Sequence, residues 1–336
     1  MKILGIETSC DETGVALVED GTVIAARVAT QEIHARWGGV VPEIASRLHQ
    51  RTLSRMIREL LEDTETRFCD LDGVAATRGP GLIGALLVGV STAKGIAAAS
   101  GIPYLGINHL EAHLWAAEAA GAAVLFPALT LLVSGGHTEL IAIDGFEEYR
   151  FLGGTLDDAA GEAFDKVGGL LGIPYPAGAQ LSELATDGDP GRFRFPVAET
   201  KQPLDFSYSG LKTAALRMFE TQCDVPVEHW KQDFAASFET AVVRQLSVRM
   251  DRAFQRDQYM SLILAGGVAA NHRLRTEAGS IAARYNAGLI VPPPEWCIDN
   301  GAMIAYLGFR KLAIHGGDPL SLPTLPNLSL TGEPQQ

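Results

Sequence analysis

The sequence predicts an α/β protein built by duplication, with two lobes of the same type. Its 336 residues suggest two domains, because a domain usually holds about 100–200 residues. A run of strand, turn, strand and strand, followed by alternating helices and strands, occurs near the N-terminus and again near residue 128. The hydrophobic share of 47% and the charged share of 20% are ordinary for a globular protein.

The elements of the first half follow from its pattern of apolar residues. Three short apolar runs predict strands, KILGIET, VALVED and VIAARVA, with tight turns between them. A Rossmann domain would pass from its first strand into a helix, so this opening argues against that fold. The remaining predictions are a helix from Pro42, PEIASRLHQRTLSRMIRELLED, a strand, DGVAATRG, a helix, LIGALLVGVSTAKGIAAAS, a strand, PYLGIN, and a helix with two histidines.

The second half repeats this order. Strands are predicted at ALTLLVSGG, HTELIAI and YRFLGG, then at SLILAGGVAAN and GLIVPPP, before a final helix, GAMIAYLGFRKLAIH. We expect one lobe at residues 1–118 and a second at 119–336, with a helical insertion at about 155–250. An alternative placement of the final helix, about 300–315, is against the first lobe. The actin, hexokinase and Hsp70 group of folds has this duplicated plan, which predicts nucleotide and metal in a cleft between the lobes.

The overall composition predicts a cytoplasmic protein without a membrane segment. The four cysteines, Cys10, Cys69, Cys223 and Cys297, lie far apart and form no CxxC motif. This spacing predicts reduced thiols and no disulfide framework. The N-terminus does not resemble a signal peptide. The net charge of −13 argues against non-specific binding of nucleic acid, although it does not exclude a local basic face.

The segment NHLEAHLWAAE, residues 108–118, contains two histidines four positions apart. His109 and His113 share one helix face, whereas Glu111 points about 200° away from His109. A zinc protease needs HExxH, so that function is excluded by geometry. Two imidazoles at this spacing form half of a metal site, and packed surface histidines are the alternative. Asp299 is the candidate third ligand, with a helix cap as its alternative role; two histidines and one carboxylate suit Fe(II) or Zn(II).

Several glycine motifs are candidate ligand sites. Gly79, Gly81 and Gly84 have GxGxxG spacing, but no acidic residue ends the next strand, so close helix packing is favoured over dinucleotide binding. No GxxxxGK[ST] motif occurs in the sequence. The turn Ser134-Gly135-Gly136 and the pair Gly266-Gly267 each follow an apolar strand. Backbone amides in such turns can hold an anion, and ordinary turn chemistry is the alternative.

Two charged features complete the candidates. Asp11 lies in the first hairpin turn, where it serves either the local backbone or, facing the cleft, as a base or orienting carboxylate. Four arginines share one face of the helix that begins at Pro42, and they form the most concentrated positive surface in the chain: Arg47, Arg51, Arg55 and Arg58. Such a stripe is either a solvated face or a contact for a phosphate backbone.

Taken together, these segments resemble one family closely, the tRNA threonylcarbamoyladenosine synthesis protein TsaD. The resemblance runs in order through nearly the whole chain, in IETSCDET, GGVVPEIASR, GPGLIGALLVG, HLEAH, LVSGGHTEL, GEAFDKVG, DFSYSGLKTA, LAGGVAAN and IDNGAMIA. It implies an actin-like fold and transfer of a threonylcarbamoyl group from threonylcarbamoyl-AMP to N6 of the adenosine 3′ of the anticodon, in tRNAs reading ANN codons. It also implies two partner proteins, a TsaB-like paralogue and a TsaE-like ATPase.

The resemblance assigns roles residue by residue. It implies one divalent metal, Fe(II) or Zn(II), held by His109, His113 and Asp299, and an acid needed for activity at Asp11. The implied substrate-binding residues are Leu132, Val133, Ser134, Gly135, Gly136, Asp165, Gly178 and Asn271. The family pattern YPGGP is replaced here by Tyr-Pro-Ala-Gly-Ala, and Ala177 would be strained if it needed a positive φ.

Two other functions are alternatives to this one. A small-molecule kinase of the same fold would use acids to hold Mg²⁺ rather than a histidine pair. A non-catalytic scaffold paralogue would not need the metal triad. The joint presence of His109, His113 and Asp299 argues against both functions.

Overall fold

The computed structural model describes residues 1–222 and 230–330, so the predicted free thiol Cys223 lies outside the described residues. The described chain forms two compact units. Unit 1 comprises Met1–Ala123 and the chain from Ile298 onward, and unit 2 comprises Val124–Cys297. Each unit contains one five-stranded mixed sheet.

The described secondary structure is as follows. The strands are β1 (Lys2–Glu7), β2 (Glu12–Glu19), β3 (Thr22–Thr30), β4 (Gly73–Gly79), β5 (Tyr104–Asn108), β6 (Ala128–Val133), β7 (Thr138–Gly145), β8 (Glu148–Gly154), β9 (Ser261–Ala265) and β10 (Gly288–Ile290). The helices are α1 (Pro42–Asp63), α2 (Ile83–Ser100), α3 (His109–Ala119), α4 (Ala160–Leu170), α5 (Gly178–Ala185), α6 (Ser209–Gln222), α7 (Trp230–Arg256), α8 (His272–Arg284), α9 (Pro294–Cys297) and α10 (Gly301–His315).

The two sheets have the same topology. Unit 1 has the strand order β3-β2-β1-β4-β5, and unit 2 has β8-β7-β6-β9-β10. In both, the first three strands are antiparallel neighbours and the last two pairings are parallel. The predicted duplicated α/β fold is therefore confirmed. Parallel strands need a crossover connection, and α2 provides it in unit 1 between β4 and β5.

The last helix of the chain belongs to unit 1, where α10 packs on β1 and β2 through glycines. A Cβ atom added to Gly5 would lie 2.4 Å from the backbone of Gly301 and Ala305. A Cβ added to Gly301 would lie 2.6 Å from Val15. Such distances leave no room for a side chain, so the sequence must keep glycine on both sides of this contact. This packing brings the start of α10, with Asp299 before it, to the sheet of unit 1.

Two of the three GxGxxG glycines serve backbone packing in the structure. A Cβ at Gly79 would lie 1.9 Å from the carbonyl oxygen of Leu325, and one at Gly81 would lie 2.6 Å from that of Ser9. The contacts support close packing over dinucleotide binding.

One described helix, α2, is long and apolar enough to cross a membrane by length and composition alone. It packs against α1 and β4, and its inward face includes Leu86, Val90 and Ala93, which are fully or almost fully buried. A helix that buries one face against a sheet has the same length and apolar composition. The packing therefore accounts for its apolar composition.

Candidate metal centre

Two capped helices position the three predicted metal ligands. The Asn108 side chain, at the end of β5, accepts hydrogen bonds from the backbone N–H groups of Leu110 and Glu111. This cap starts α3 at His109 and places His113 one turn later on the same face. Asn300 caps α10 in the same way. Because Asn300 provides the cap, Asp299 does not serve that role.

The three side chains come together at one point in unit 1. The Nε2 atom of His113 lies 3.0 Å from Oδ1 of Asp299, and Nε2 of His109 lies 3.5 Å from the same oxygen. Ligand atoms of all three residues lie within 4.8 Å of one another. Two ligands about 2.1 Å from one tetrahedral ion are about 3.4 Å apart. The spacing therefore fits a shared metal ion, and the two histidines are almost completely buried.

The buried carboxylate of Glu7 contacts His109. No local sequence pattern predicts this contact. Oε2 of Glu7, at the end of β1, lies 3.0 Å from Nδ1 of His109, and Glu7 is fully buried. The Thr77 hydroxyl donates to the same carboxylate oxygen over 2.6 Å. With Nδ1 facing Glu7, the Nε2 atom of His109 is directed to Asp299. A carboxylate in this position fixes the ring of a metal-binding histidine and increases its basicity.

The charges around His109 favour a cation. Burial lowers the pKa of His109, but the charges of Asp299 and Glu7 outweigh it and raise that pKa to about 9. Burial would raise the pKa of Glu7, yet the neighbouring His109 holds it below its ordinary value. A field that favours a positive charge on the imidazole also favours a metal cation beside it. Nδ1 of His109 contacts the Glu7 carboxylate. Among the described residues, the buried Nδ1 of His113 has no hydrogen-bond partner.

Glu111 lies away from the metal centre, as the helix geometry predicts. Its Oε2 atom is 2.9 Å from Nζ of Lys311 on α10. The residue is 3% exposed, and its charge is matched by this ion pair. Glu111 is therefore not placed to act on a water held by the histidines.

The turn that carries Asp11 is held by a buried histidine. Nε2 of His49, on α1, donates to the Cys10 carbonyl oxygen over 2.9 Å, while its Nδ1 lies 2.8 Å from the Thr13 hydroxyl. The backbone carbonyl of Asp11 accepts a hydrogen bond from the Gln31 N–H over 3.1 Å. The turn is thus fixed from both sides.

Glu12, the residue after Asp11, has an unusual environment. Burial, with the negative charges of Asp299 and Asp11, raises the pKa of Glu12 to about 10, and its side chain is hydrogen-bonded to Asp11. This environment favours the neutral form of the Glu12 carboxyl, which can donate a hydrogen bond to Asp11.

In unit 2, the candidate substrate residues begin at the end of β6. Leu132 and Val133 are buried strand residues. Gly135 and Gly136 are exposed, and a Cβ on either would meet nothing within 4 Å. Ser134 closes the turn by accepting the His137 N–H on its hydroxyl oxygen. The turn therefore offers open backbone on its outer side.

Gly161 and Gly266 allow the backbone to pack closely against this turn. A Cβ at Gly161, on α4, would lie 2.5 Å from the Ser134 carbonyl oxygen. Gly266 has φ +84° and a Cβ there would lie 2.4 Å from the Val133 carbonyl oxygen. Both the conformation and the space demand glycine at position 266. These contacts hold the end of β9 and the start of α4 against the Ser134 turn.

The other candidates, Asp165 and Asn271, each make hydrogen bonds within unit 2. The Asp165 carboxylate accepts the Ala177 N–H over 2.7 Å, just before α5 begins at Gly178. Asn271 caps α8 with its side-chain oxygen and donates to Glu239 over 2.6 Å and to Ser182 over 2.9 Å. Glu239 is a buried partner of Asn271 that no local sequence pattern indicates.

The departure from the family pattern at Ala177 causes no backbone strain. Its φ is −91° and its ψ is −18°, in the ordinary right-handed region. The residue is 1% exposed. A Cβ added to Gly168 would lie 2.3 Å from the Ala177 methyl group, so Ala177 occupies space that Gly168 leaves open.

The fold and the histidine–carboxylate centre define a duplicated, actin-like α/β protein with a potential metal site. The profile described as TsaD, tRNA N6-adenosine threonylcarbamoyltransferase, matches residues 22–306. A tRNA N6-adenosine threonylcarbamoyltransferase of Anaeromyxobacter dehalogenans (strain 2CP-1) is 51% identical over 315 residues, covering 93% of this chain and 94% of that protein. The chain belongs to the TsaD family of tRNA N6-adenosine threonylcarbamoyltransferases.

Similar solved structures support the fold. Component A of the Acidaminococcus fermentans (R)-2-hydroxyglutaryl-CoA dehydratase superposes with a TM-score of 0.56 at 16% identity, covering 93% of this chain and 99% of that one. HypF of T. kodakarensis gives a TM-score of 0.61 at 13% identity, covering 93% of this chain and 48% of that one. At such low identity, these similarities concern the fold alone.

Proposed function

We propose that the chain transfers the threonylcarbamoyl group of threonylcarbamoyl-AMP to N6 of the adenosine 3′ of the anticodon, in tRNAs that read ANN codons. Membership of the TsaD family carries the transferase activity and the tRNA substrate. The observation that carries the chemistry is the buried cluster of His109, His113 and Asp299. A kinase would have no use for such a histidine pair.

The proposed reaction makes one bond and breaks one. The N6 nitrogen attacks the carbamoyl carbon, the bond from that carbon to the AMP phosphate oxygen breaks, and AMP leaves as an anion. The N6 proton passes to the Asp11 carboxylate, whose turn is held by His49 and Gln31. The open amides of the Ser134-Gly135-Gly136 turn are suited to the AMP phosphate.

The remaining substrate contacts are proposed for Leu132, Val133, Asp165, Gly178 and Asn271. A divalent ion held by His109, His113 and Asp299, Fe(II) or Zn(II), would supply Lewis-acid polarisation of the carbonyl. The Asp165 and Asn271 side chains also fix the loops that end at α5 and α8, through hydrogen bonds to the Ala177 and Leu274 N–H groups. The expected protein partners are a TsaB-like paralogue and a TsaE-like ATPase.

The test of this function is transfer of labelled threonylcarbamoyl from threonylcarbamoyl-AMP to unmodified tRNA, with and without the two partner proteins. Label in the tRNA supports the proposal. The parallel assay offers ATP and small hydroxylated or carboxylated molecules. Phosphorylation of a small molecule, with no label in tRNA under any condition, would replace the transferase with the kinase.

Glu7→Gln is expected to weaken metal binding by about 10- to 100-fold. The amide keeps the size of Glu7 but removes the charge that faces Nδ1 of His109 at 3.0 Å. The measurement is the Kd for Zn(II), obtained by competition with a chelator. Glu139→Gln makes the same change at a buried carboxyl of unit 2 and should leave this Kd unaltered. Equal Kd values for wild type and Glu7→Gln would remove Glu7 from the metal centre.

Charge reversal at Arg51 and Arg55 is expected to weaken tRNA binding and flatten its salt dependence by about two units of slope. All four arginines of the stripe on α1 are exposed, and Arg55 has only a 3.8 Å ion pair with Glu59. The measurement is the Kd for tRNA at several salt concentrations.

The control for the arginine stripe is a double reversal at Arg217 and Arg284, which are exposed on helices of unit 2. It changes the net charge by the same amount. A stripe variant that behaves like this control would mean that the stripe is a solvated face.

A further inference from the structure

Trp37 is displayed on the surface of unit 1 by a short helical segment. It ends a 3₁₀ helix, Glu32–Trp37, and its side chain is 64% exposed. Trp115 and Trp230 are at most 2% exposed, and Trp296 is half-buried. Leaving so much of a large aromatic side chain in water forgoes a sizeable burial energy. Such a residue therefore suits a surface that is covered when a partner binds.

The segment that carries Trp37 is held from inside. His34 is 1% exposed; its Nδ1 accepts the Val41 N–H over 3.2 Å and its Nε2 donates to Oε1 of Gln31 over 2.9 Å. The Gln31 amide donates in turn to the Ala45 carbonyl oxygen of α1 over 3.3 Å. Both ends of the segment are thus tied to the body of unit 1. Trp37 is presented in a fixed place with little ordering cost on binding.

The same segment starts at the Asp11 turn. The backbone N–H of Gln31 donates to the Asp11 carbonyl oxygen over 3.1 Å. The segment that ends with the exposed aromatic ring is therefore joined at its start to the turn that carries the proposed proton acceptor. Arg36, next to Trp37, is exposed as well, and a guanidinium can contact phosphate or stack on a base. After Trp37, a Cβ at Gly38 or Gly39 would meet nothing within 4 Å, so space is open on the side-chain face of these two residues.

The chemistry of the substrate indicates what would cover this ring. The reacting N6 belongs to an adenine that lies beside the anticodon, in a single-stranded loop. Proteins bind such loops by splaying bases out of their stack and placing them on aromatic side chains or arginine planes. An exposed tryptophan on a segment that starts at the Asp11 turn, with an exposed arginine next to it, offers both surfaces.

We propose that Trp37 is a stacking platform for a nucleobase of the tRNA anticodon loop adjacent to the modified adenosine. This inference rests on the proposed function, since the partner is the tRNA substrate. Stacking on a neighbouring base stabilises the enzyme–tRNA complex equally in the ground state and in the transition state. Loss of the ring should therefore raise KM for tRNA and leave kcat almost unchanged.

The test compares wild type, Trp37→Ala and Trp37→Phe in the transfer assay with the partner proteins present. Trp37→Ala should raise KM for tRNA by about 5- to 150-fold, the range for loss of one stacked base, with KM for threonylcarbamoyl-AMP unchanged. Trp37→Phe keeps an aromatic face and should retain most of the affinity. Phe151→Ala removes a ring that is 57% exposed in unit 2 and serves as the control, with KM for tRNA as in wild type.

A second measurement uses the chain alone. Unmodified tRNA should quench its tryptophan emission, and the quenching should disappear in Trp37→Phe, which has no indole at this position. This titration reports on stacking even if wild type shows no transfer, so failure of the proposed function is seen separately. An unchanged KM for tRNA in Trp37→Ala overturns the inference. The inference also fails if the variant only needs more partner protein to reach full activity, because Trp37 would then be a protein contact.

Discussion

His113→Ala is expected to lose the bound metal and to lower the single-turnover transfer rate by about 10³-fold. His113 is 2% exposed and provides one of the three ligand atoms that lie within 4.8 Å of one another. Removing it leaves His109 and Asp299, which are too few to hold a labile ion well. The measurements are the metal content of the purified chain and the transfer of labelled threonylcarbamoyl to tRNA under single-turnover conditions.

The matched control for this variant is Glu111→Gln on the same helix. Glu111 is similarly buried, but its carboxylate pairs with Lys311 at 2.9 Å on the side away from the metal centre. This variant should keep its metal and a transfer rate close to that of wild type. A His113→Ala protein that retains the metal would contradict the assignment of ligands. One that loses the metal and still transfers at the full rate would show that the ion is not needed for the reaction.

The histidine pair was predictable from the sequence because its signal is local. His109 and His113 are four residues apart, and helix periodicity places them on one face whatever the rest of the chain does. Glu7 carried no such signal. Its contact with His109 depends on the parallel pairings of β4 with β1 and β5, which bring strand ends about a hundred residues apart to one edge of the sheet. Local pattern does not reveal strand order, so a supporting carboxylate of this kind appears only in the fold.

Two further differences have similar causes. Asp299 and Asn300 are both good helix caps, and the sequence cannot decide between them; in the structure Asn300 takes the cap and Asp299 faces the histidines. The strain considered at Ala177 depended on a backbone angle, and that angle proved ordinary. The duplicated topology, in contrast, was predictable because the pattern of apolar residues predicts the same order of strands and helices in both halves of the chain.

Asp11→Asn is expected to lower the single-turnover transfer rate by about 10²- to 10⁴-fold, the usual contribution of a positioned proton acceptor. Asparagine keeps the shape of the side chain but cannot take the N6 proton. Because the backbone of this turn is held by His49 and Gln31, the variant should bind metal and tRNA as wild type does. The measurements are the transfer rate with enzyme in excess over tRNA, the metal content and the Kd for tRNA.

The neighbouring carboxyl provides the control that separates the two acids. Burial and the charges of Asp299 and Asp11 raise the pKa of Glu12 to about 10, which favours its neutral carboxyl near pH 7. Glu12→Gln replaces one neutral hydrogen-bond donor with another and should retain most of the transfer rate, with a pH profile parallel to that of wild type. A full rate in Asp11→Asn would exclude Asp11 as proton acceptor. A large loss in Glu12→Gln, with Asp11→Asn fully active, would assign the proton transfer to Glu12 and mean that its carboxyl must ionise during the reaction.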